Sequence, residues 1–276
     1  MKPPTSFLAS CLFACLLAAC ATTPTASAPA AAPVAASTPT LPAQPKNTYV
    51  IVHGAWGGGW AFKEVDDLLT ADGNKVYRPT LTGQGERSNL ASLDVDLDTQ
   101  ITDVTNVILW ENLRDIVLVG HSYGGMIITG VADRVPDRIK CIIYLDAMLP
   151  VDGESVNTAA DNALGKNLPM LTDANGYIIY KGFNVANKPL PHDVPMPPKT
   201  FSQPIELHNQ AAVAKIPTTY VQFTPTFTAF AARARARGWN MMTLQSDHNA
   251  QWSHPKELVA LLEKAVAEMT GPDAKK

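Results

Sequence analysis

Outside its first twenty residues the chain has almost no cysteine. Of the four present, Cys11, Cys15 and Cys20 lie at the N-terminus, and Cys141 stands alone in the rest. An internal disulfide in the body of the chain is thereby excluded. Cys141 sits in an apolar run and reads as a buried, inert thiol. No grouping of His, Cys, Asp or Glu has metal-ligand spacing, so no metal is expected, and nothing calls for an organic cofactor. Charge is sparse too: Asp, Glu, Lys and Arg make up 17% of residues, the formal net charge is −3, and it is spread without blocks. Such a surface offers little grip on phosphates and argues against a nucleic-acid partner. The long apolar run, Phe7 to Ala19, is shorter than the roughly 20 residues of a membrane-spanning helix. There is no internal repeat.

What is present begins with an export signal. Met1 and Lys2 give a short positive start, the apolar run has the length of a signal-peptide core, and Leu17-Ala18-Ala19-Cys20 closes it. That ending resembles the bacterial lipobox, which implies cleavage after residue 19 and a lipid on Cys20. An ordinary signal peptide with an incidental cysteine is the plainer alternative. By the same resemblance, Ala21 rather than Asp after Cys20 points to the outer membrane, facing the periplasm or the exterior. Residues 20–46 hold little but Ala, Pro, Thr and Ser. They have nothing large to bury and read as an extended tether. Residues 47–276 are long enough for one domain with a single core.

From Asn47 onward, short apolar runs alternate with amphipathic stretches. Thr48–His53, Lys75–Pro79, Asp115–Val119, Ile139–Leu145, Thr219–Phe223 and Asn240–Leu244 read as strands. Trp60–Thr70, Asp98–Trp110, Tyr123–Val131, Phe227–Arg237 and Pro255–Met269 read as helices. This rhythm predicts a mostly parallel sheet covered on both faces. It breaks at residues 150–217, proline-rich and weakly periodic, which are placed to cap the sheet's carboxyl edge.

Gly120-His121-Ser122-Tyr123-Gly124 matches the G-x-S-x-G nucleophile elbow. Alone the pattern is weak, but here it lies between a buried strand and an amphipathic helix. Ser122 is the candidate nucleophile. The glycine-rich turn His53–Trp60 follows another buried strand, and with the elbow it can supply two converging N–H donors for an oxyanion, from Ala55 and Tyr123. His53 at the strand end reads as a brace for that turn. The base must be a histidine. His121 adjoins the serine and should point away from the site. His192 and His208 lie in the cap, and His254 reads as a polar cap before Pro255. His248, after the last strand, is the candidate base.

VHGAWGGGW, GHSYGGMI, YLDAMLPVDG and SDHNAQWSHPKEL, in this order, resemble the α/β-hydrolases. Within them the likeness is to small plant methylesterases, hydroxynitrile lyases and bacterial esterases, over nearly all of residues 48–270. The resemblance implies an α/β-hydrolase fold, the cap following Ile139–Leu145, the family's sixth-strand equivalent. In the methylesterase-like members the triad acid follows the strand that here reads Thr219–Phe223, yet Pro225, Thr226 and Phe227 come next. Some hydrolases of the fold take the acid from the end of the preceding strand, which here is Asp146. Asp247, beside the base, and no acid at all are the alternatives. Asp146 could instead be a turn cap at the start of the lid.

The expected activity is hydrolysis of a small carboxylic ester through an acyl-enzyme, with Ser122, His248 and Asp146 as the triad. An amidase or lactonase would use the same residues. A hydroxynitrile lyase shares the scaffold, but the lyases this chain resembles carry lysine just after the catalytic histidine, where Asn249 stands here. A non-catalytic ligand-binding lipoprotein is the remaining alternative. Trp56 and Tyr123 beside the nucleophile hint at a hydrophobic or aromatic acyl group. Met170, Tyr177, Tyr180, Phe183 and Phe201 either line a pocket or form the cap's own core. Nothing in the sequence sets an oligomeric state.

Overall fold

Strands that are apolar at consecutive positions can be satisfied only if both faces of their sheet are covered, and the chain is built that way. A computed structural model describes residues 44–164 and 170–271. The expected signal segment, Cys20 and the tether up to residue 43 lie outside the described residues. In chain order the elements are β1 (Thr48–Val52), α1 (Lys63–Ala71), β2 (Lys75–Tyr77), α2 (Leu97–Trp110), β3 (Ile116–His121), α3 (Gly124–Arg134) and β4 (Ile139–Leu145). The cap follows, with α4 (Val156–Leu164), the two-residue strands β5 (Leu171–Thr172) and β6 (Ile178–Ile179), α5 (Lys199–Ser202) and α6 (Gln210–Val213). The chain then returns to the sheet through β7 (Thr218–Gln222), α7 (Thr228–Ala236), β8 (Asn240–Thr243), α8 (Ala250–Ser253) and α9 (Pro255–Thr270).

The main sheet has the order β2-β1-β3-β4-β7-β8, and every pair in it is parallel. Alternate side chains divide between two cores. Val50, Val52, Leu118, Ile142, Tyr144 and Tyr220 face α2, α3 and α7. Tyr49, Ile51, Val117, Cys141, Ile143 and Val221 face α1 and α9. The strand order reverses between β1 and β3, so the turns leaving these neighbours diverge and open a crevice at their carboxyl ends. Both functional turns predicted from the sequence start there.

The predicted helix Trp60–Thr70 opens instead as a single 3₁₀ turn, Gly59–Phe62, before α1, because the glycine run resists a regular start. Asp96 caps α2 through its side chain, accepting the Thr99 N–H at 2.8 Å. The cap is tied down by polar contacts. Asp133 of α3 accepts the His208 and Asn209 N–H groups, and Arg233 of α7 grips Glu154 with two bonds of 2.7 and 2.9 Å.

Candidate active site

Ser122 occupies the sharp turn from β3 to α3 with φ of +55°, a left-handed conformation that costs a non-glycine residue energy and marks functional turns. The surroundings hold it there. Its N–H donates to Leu145 O at 3.2 Å, and its carbonyl accepts from Gly125 and Met148 N–H at 3.1 and 3.0 Å. A Cβ at position 120 would lie 2.8 Å from Gly124 O, and one at 124 would lie 2.6 Å from Val52 O. Only glycine lets these backbones approach so closely.

His248 stands on the turn between β8 and α8, its Nδ1 2.8 Å from Asp146 Oδ2. Asp146 directly follows β4, fully buried and itself at φ +42°. Its Oδ1 accepts the N–H groups of Phe223 and Thr224 at 3.0 and 3.1 Å, and its Oδ2 accepts the Thr224 hydroxyl at 2.8 Å. The residues after β7 thus turn their donors toward a carboxylate that arrives from β4. Burial pushes the Asp146 carboxyl up, but the bonds from His248, Thr224 and Phe223 outweigh it and hold the group below its ordinary range. An ionised Asp146 only accepts, so Nδ1 of His248 carries the hydrogen and Nε2 keeps its lone pair. Asp247 is engaged elsewhere, accepting from Asn249 N–H and the Ser253 hydroxyl, both at 2.9 Å.

The other histidines divide as follows. His53 braces its turn: Leu81 N–H donates to Nε2 at 3.1 Å, and Nδ1–H donates to Gly54 O at 2.7 Å. Burial lowers its pKa to about 4. His121 does not line the cavity, but it does not turn away from His248. Its Nε2–H donates to the His248 carbonyl at 2.7 Å, and the two rings lie 4.6 Å apart. Burial, with the nearby His248, lowers its pKa to about 3, so it stays neutral. His254 makes no side-chain cap at α9. It bonds Ser246 and Ser253 instead, because its ring points back across the turn.

The glycine-rich turn packs directly on the elbow: a Cβ at Gly54 would come within 3.1 Å of Ser122 Cβ. Neither the Ala55 nor the Tyr123 N–H has an acceptor among the described residues. Both residues line, with Ser122 and His248, a cavity of about 310 Å³, the size of a small-ligand site. Its wall is mainly apolar. Met170 and Phe201 of the cap line it, whereas Tyr180 packs on Trp56 and Phe183, so the cap aromatics serve both purposes. Trp56 is locked to the cap, its Nε1–H donating to Ile178 O at 3.0 Å and its carbonyl accepting from Val194 N–H at 2.8 Å. Phe227, noted in the sequence only for not being an acid, stacks on the His248 ring at 4.9 Å. Among the described residues, no group of three or more His, Cys, Asp or Glu side chains could hold a metal ion, and no helix is long and apolar enough to cross a membrane.

Comparison with known proteins agrees with this architecture. The carbendazim hydrolyzing esterase of Nocardioides sp. is 47% identical over 116 residues, 42% of this chain and 48% of that protein. The alpha-hydroxynitrile lyase of Arabidopsis thaliana is 35% identical over 107 residues, 38% and 41% of the two chains. The chain spans about half the length, or less, of the curated relatives it matches. A methylesterase from Arabidopsis, known as a crystal structure, superposes with a TM-score of 0.62 at 26% identity, covering 80% of this chain and 99% of that one. Esterases and a lyase therefore share the scaffold. The alpha/beta hydrolase family matches residues 49–270, from β1 to the end of α9, and the chain belongs to that family.

Proposed function

We propose that this protein is a serine carboxylic ester hydrolase working through an acyl-enzyme. The observation that carries this reading is the Asp146–His248 pair at 2.8 Å, set behind a cavity onto which Ser122 opens. The Nε2 lone pair of His248 takes the Ser122 proton as Oγ attacks the ester carbonyl. The N–H groups of Ala55 and Tyr123 stabilise the oxyanion. His248 then protonates the leaving alkoxide, and water, deprotonated by the same imidazole, releases the acid and restores Ser122. Throughout, Asp146 holds the tautomer and stabilises the transient imidazolium. The apolar wall suits a small hydrophobic or aromatic ester.

The lyase reading has less support. Asn249, at the position of the lyases' lysine, carries no charge, and its Oδ1 accepts from Gln251 at 3.3 Å. A purely ligand-binding role would leave the strained Ser122 and the ionised, fully bonded Asp146 without use. We further propose that Cys20 carries a lipid that holds the enzyme at the outer membrane. Its test is labelling of the full chain with a radioactive fatty acid: label retained in Cys20→Ser would exclude this anchor.

Hydrolysis of 4-nitrophenyl acetate and butyrate by the whole protein tests the enzymatic reading. Ser122→Ala is expected to lose turnover, and Asp146→Asn to lose about 10⁴ in kcat. Full activity in Asp146→Asn would remove Asp146 from the triad. No turnover by the wild type, with no labelling of Ser122 by a fluorophosphonate, would overturn the hydrolase itself.

A further inference from the structure

Trp56 stands in a conformation that its own chemistry disfavours. Its φ is +65°, in the left-handed region where a bulky side chain is strained and glycine is the usual occupant. Two glycines follow and add no stiffness, and the turn is tied back to the body at Gly59, whose N–H donates to Thr80 Oγ1 at 2.8 Å. What grips Trp56 itself comes from the cap. Its carbonyl accepts from Val194 N–H at 2.8 Å, and its Nε1–H donates to Ile178 O at 3.0 Å. Its ring packs against Tyr180 and Phe201 at centroid distances of 5.2 and 5.9 Å. The two gripping segments are joined to each other, Ile178 and Met196 exchanging main-chain bonds of 2.8 and 2.9 Å, so they hold Trp56 as one unit. Next to it is Ala55, the source of one proposed oxyanion donor. The Ala55 N–H shares a planar peptide unit with Gly54 O, which His53 Nδ1–H grips at 2.7 Å. Ala55 is therefore held from upstream by the body and from downstream by the cap.

We infer that Trp56 is a positioning residue for the oxyanion site, through which the cap keeps the Ala55 N–H aimed at the reacting carbonyl. This rests on the ester hydrolase reading above. Released from the cap, residue 56 relaxes out of its left-handed conformation and the Ala55 N–H swings out of line. The cap then does more than wall the cavity: it completes the catalytic geometry. One donor of an oxyanion pair is worth about 10²–10³ in rate, and a donor that is loosened rather than removed costs less.

The test separates oxyanion binding from cavity binding, with the full chain. Ser122 Oγ adds reversibly to the carbonyl carbon of 1,1,1-trifluoro-4-phenylbutan-2-one, its proton passing to His248, and the adduct presents an oxyanion. The methyl ketone 4-phenylbutan-2-one fills the same cavity but stays a ketone. The readout is the ratio of the two inhibition constants within each variant, beside kcat and KM for 4-nitrophenyl acetate. An inhibition constant does not depend on how much of the variant is folded. Trp56→Phe keeps a ring but cannot donate to Ile178 O. It is expected to lower kcat and the trifluoroketone's advantage together by about tenfold, with KM and methyl ketone binding little changed. Trp56→Gly suits the left-handed turn but loses every side-chain tie, and should lose more. Val194→Pro removes the N–H that holds the Trp56 carbonyl, leaves Trp56 intact, and should shift the ratio in the same direction. Equal weakening of both ketones would make Trp56 a wall of the cavity and nothing more. A wild-type ratio and kcat in Trp56→Gly would make the turn conformation sufficient without the cap. Either result overturns the inference, as would active wild type that binds both ketones alike. Failure of the wild type to turn over 4-nitrophenyl acetate, with no labelling of Ser122 by a fluorophosphonate, would instead sink the hydrolase reading and this inference with it.

Discussion

Among the histidines, His121 shows how a residue outside the cavity can bear on catalysis. Its neutral ring donates to the main chain of His248, and it is covalently joined to Ser122 through the elbow. It is therefore placed to hold Ser122 and His248 in register, although it does not line the cavity. Loss of such positioning lowers kcat rather than binding. His121→Phe keeps a ring in place but removes the bond, and is expected to lower kcat by about tenfold to a hundredfold with KM little changed. His121→Gln, which can still donate, should recover part of the loss. Equal deficits in both variants, or a deficit confined to KM, would argue for a merely structural ring. That Ser122 and His248 share one cavity was legible in the sequence, because a glycine-flanked elbow and a post-strand histidine are local patterns. The Asp146–His248 contact was legible only through the family resemblance, which places an acid at the end of the preceding strand when none follows Thr219–Phe223. The contacts of His121 and Phe227 with His248 were not, because they join side chains and turns far apart in the chain.

At the scale of elements, the sheet was readable where both cores demand apolar residues at every strand position, and hardest to read in the cap. The strands β5 and β6 have two residues each, too few to show a period. What fixes the cap to the body is a handful of ties, of which Arg233–Glu154 is the most buried ion pair: the Glu154 side chain is 7% exposed. Arg233 also donates to Leu149 O at 2.9 Å, where the cap begins. Truncating Arg233 to Ala would leave a carboxylate buried without its partner, at a cost of about 3 kcal/mol. For a domain of this size, a Tm lower by roughly 6–12 °C is expected by calorimetry. Because α4 follows Glu154 directly, KM for aromatic esters should rise more than kcat falls. Arg233→Met with Glu154→Leu should regain much of the Tm, since no uncompensated charge remains. A double variant no more stable than Arg233→Ala would contradict the ion pair as the source of the loss.

For the molecule as a whole, two neutral histidines sealed beneath the site couple stability to pH. Folding lowers the pKa of His53 from 6.5 to about 4 and that of His121 from 6.5 to about 3, chiefly because burial opposes the charge. Between the unfolded and folded values the unfolded chain binds more protons, so stability falls as pH falls below 6.5. By pH 4 each histidine has withdrawn about 3 kcal/mol, together a large share of the 5–15 kcal/mol typical of a domain. The depressed carboxyl of Asp146 acts in the same direction at lower pH: its contribution is full above the unfolded carboxylate value and is lost as pH falls through the folded one. Guanidinium denaturation midpoints are therefore expected to drop steeply between pH 6.5 and 4 and to be nearly flat from pH 7 to 8. His53→Gln replaces a titrating ring with an amide that can still accept from Leu81 and donate to Gly54. It should be less stable at pH 7.5 yet lose about 3 kcal/mol less than wild type on going to pH 4. Parallel pH–stability curves for the two proteins would mean that His53 is not held neutral by the fold.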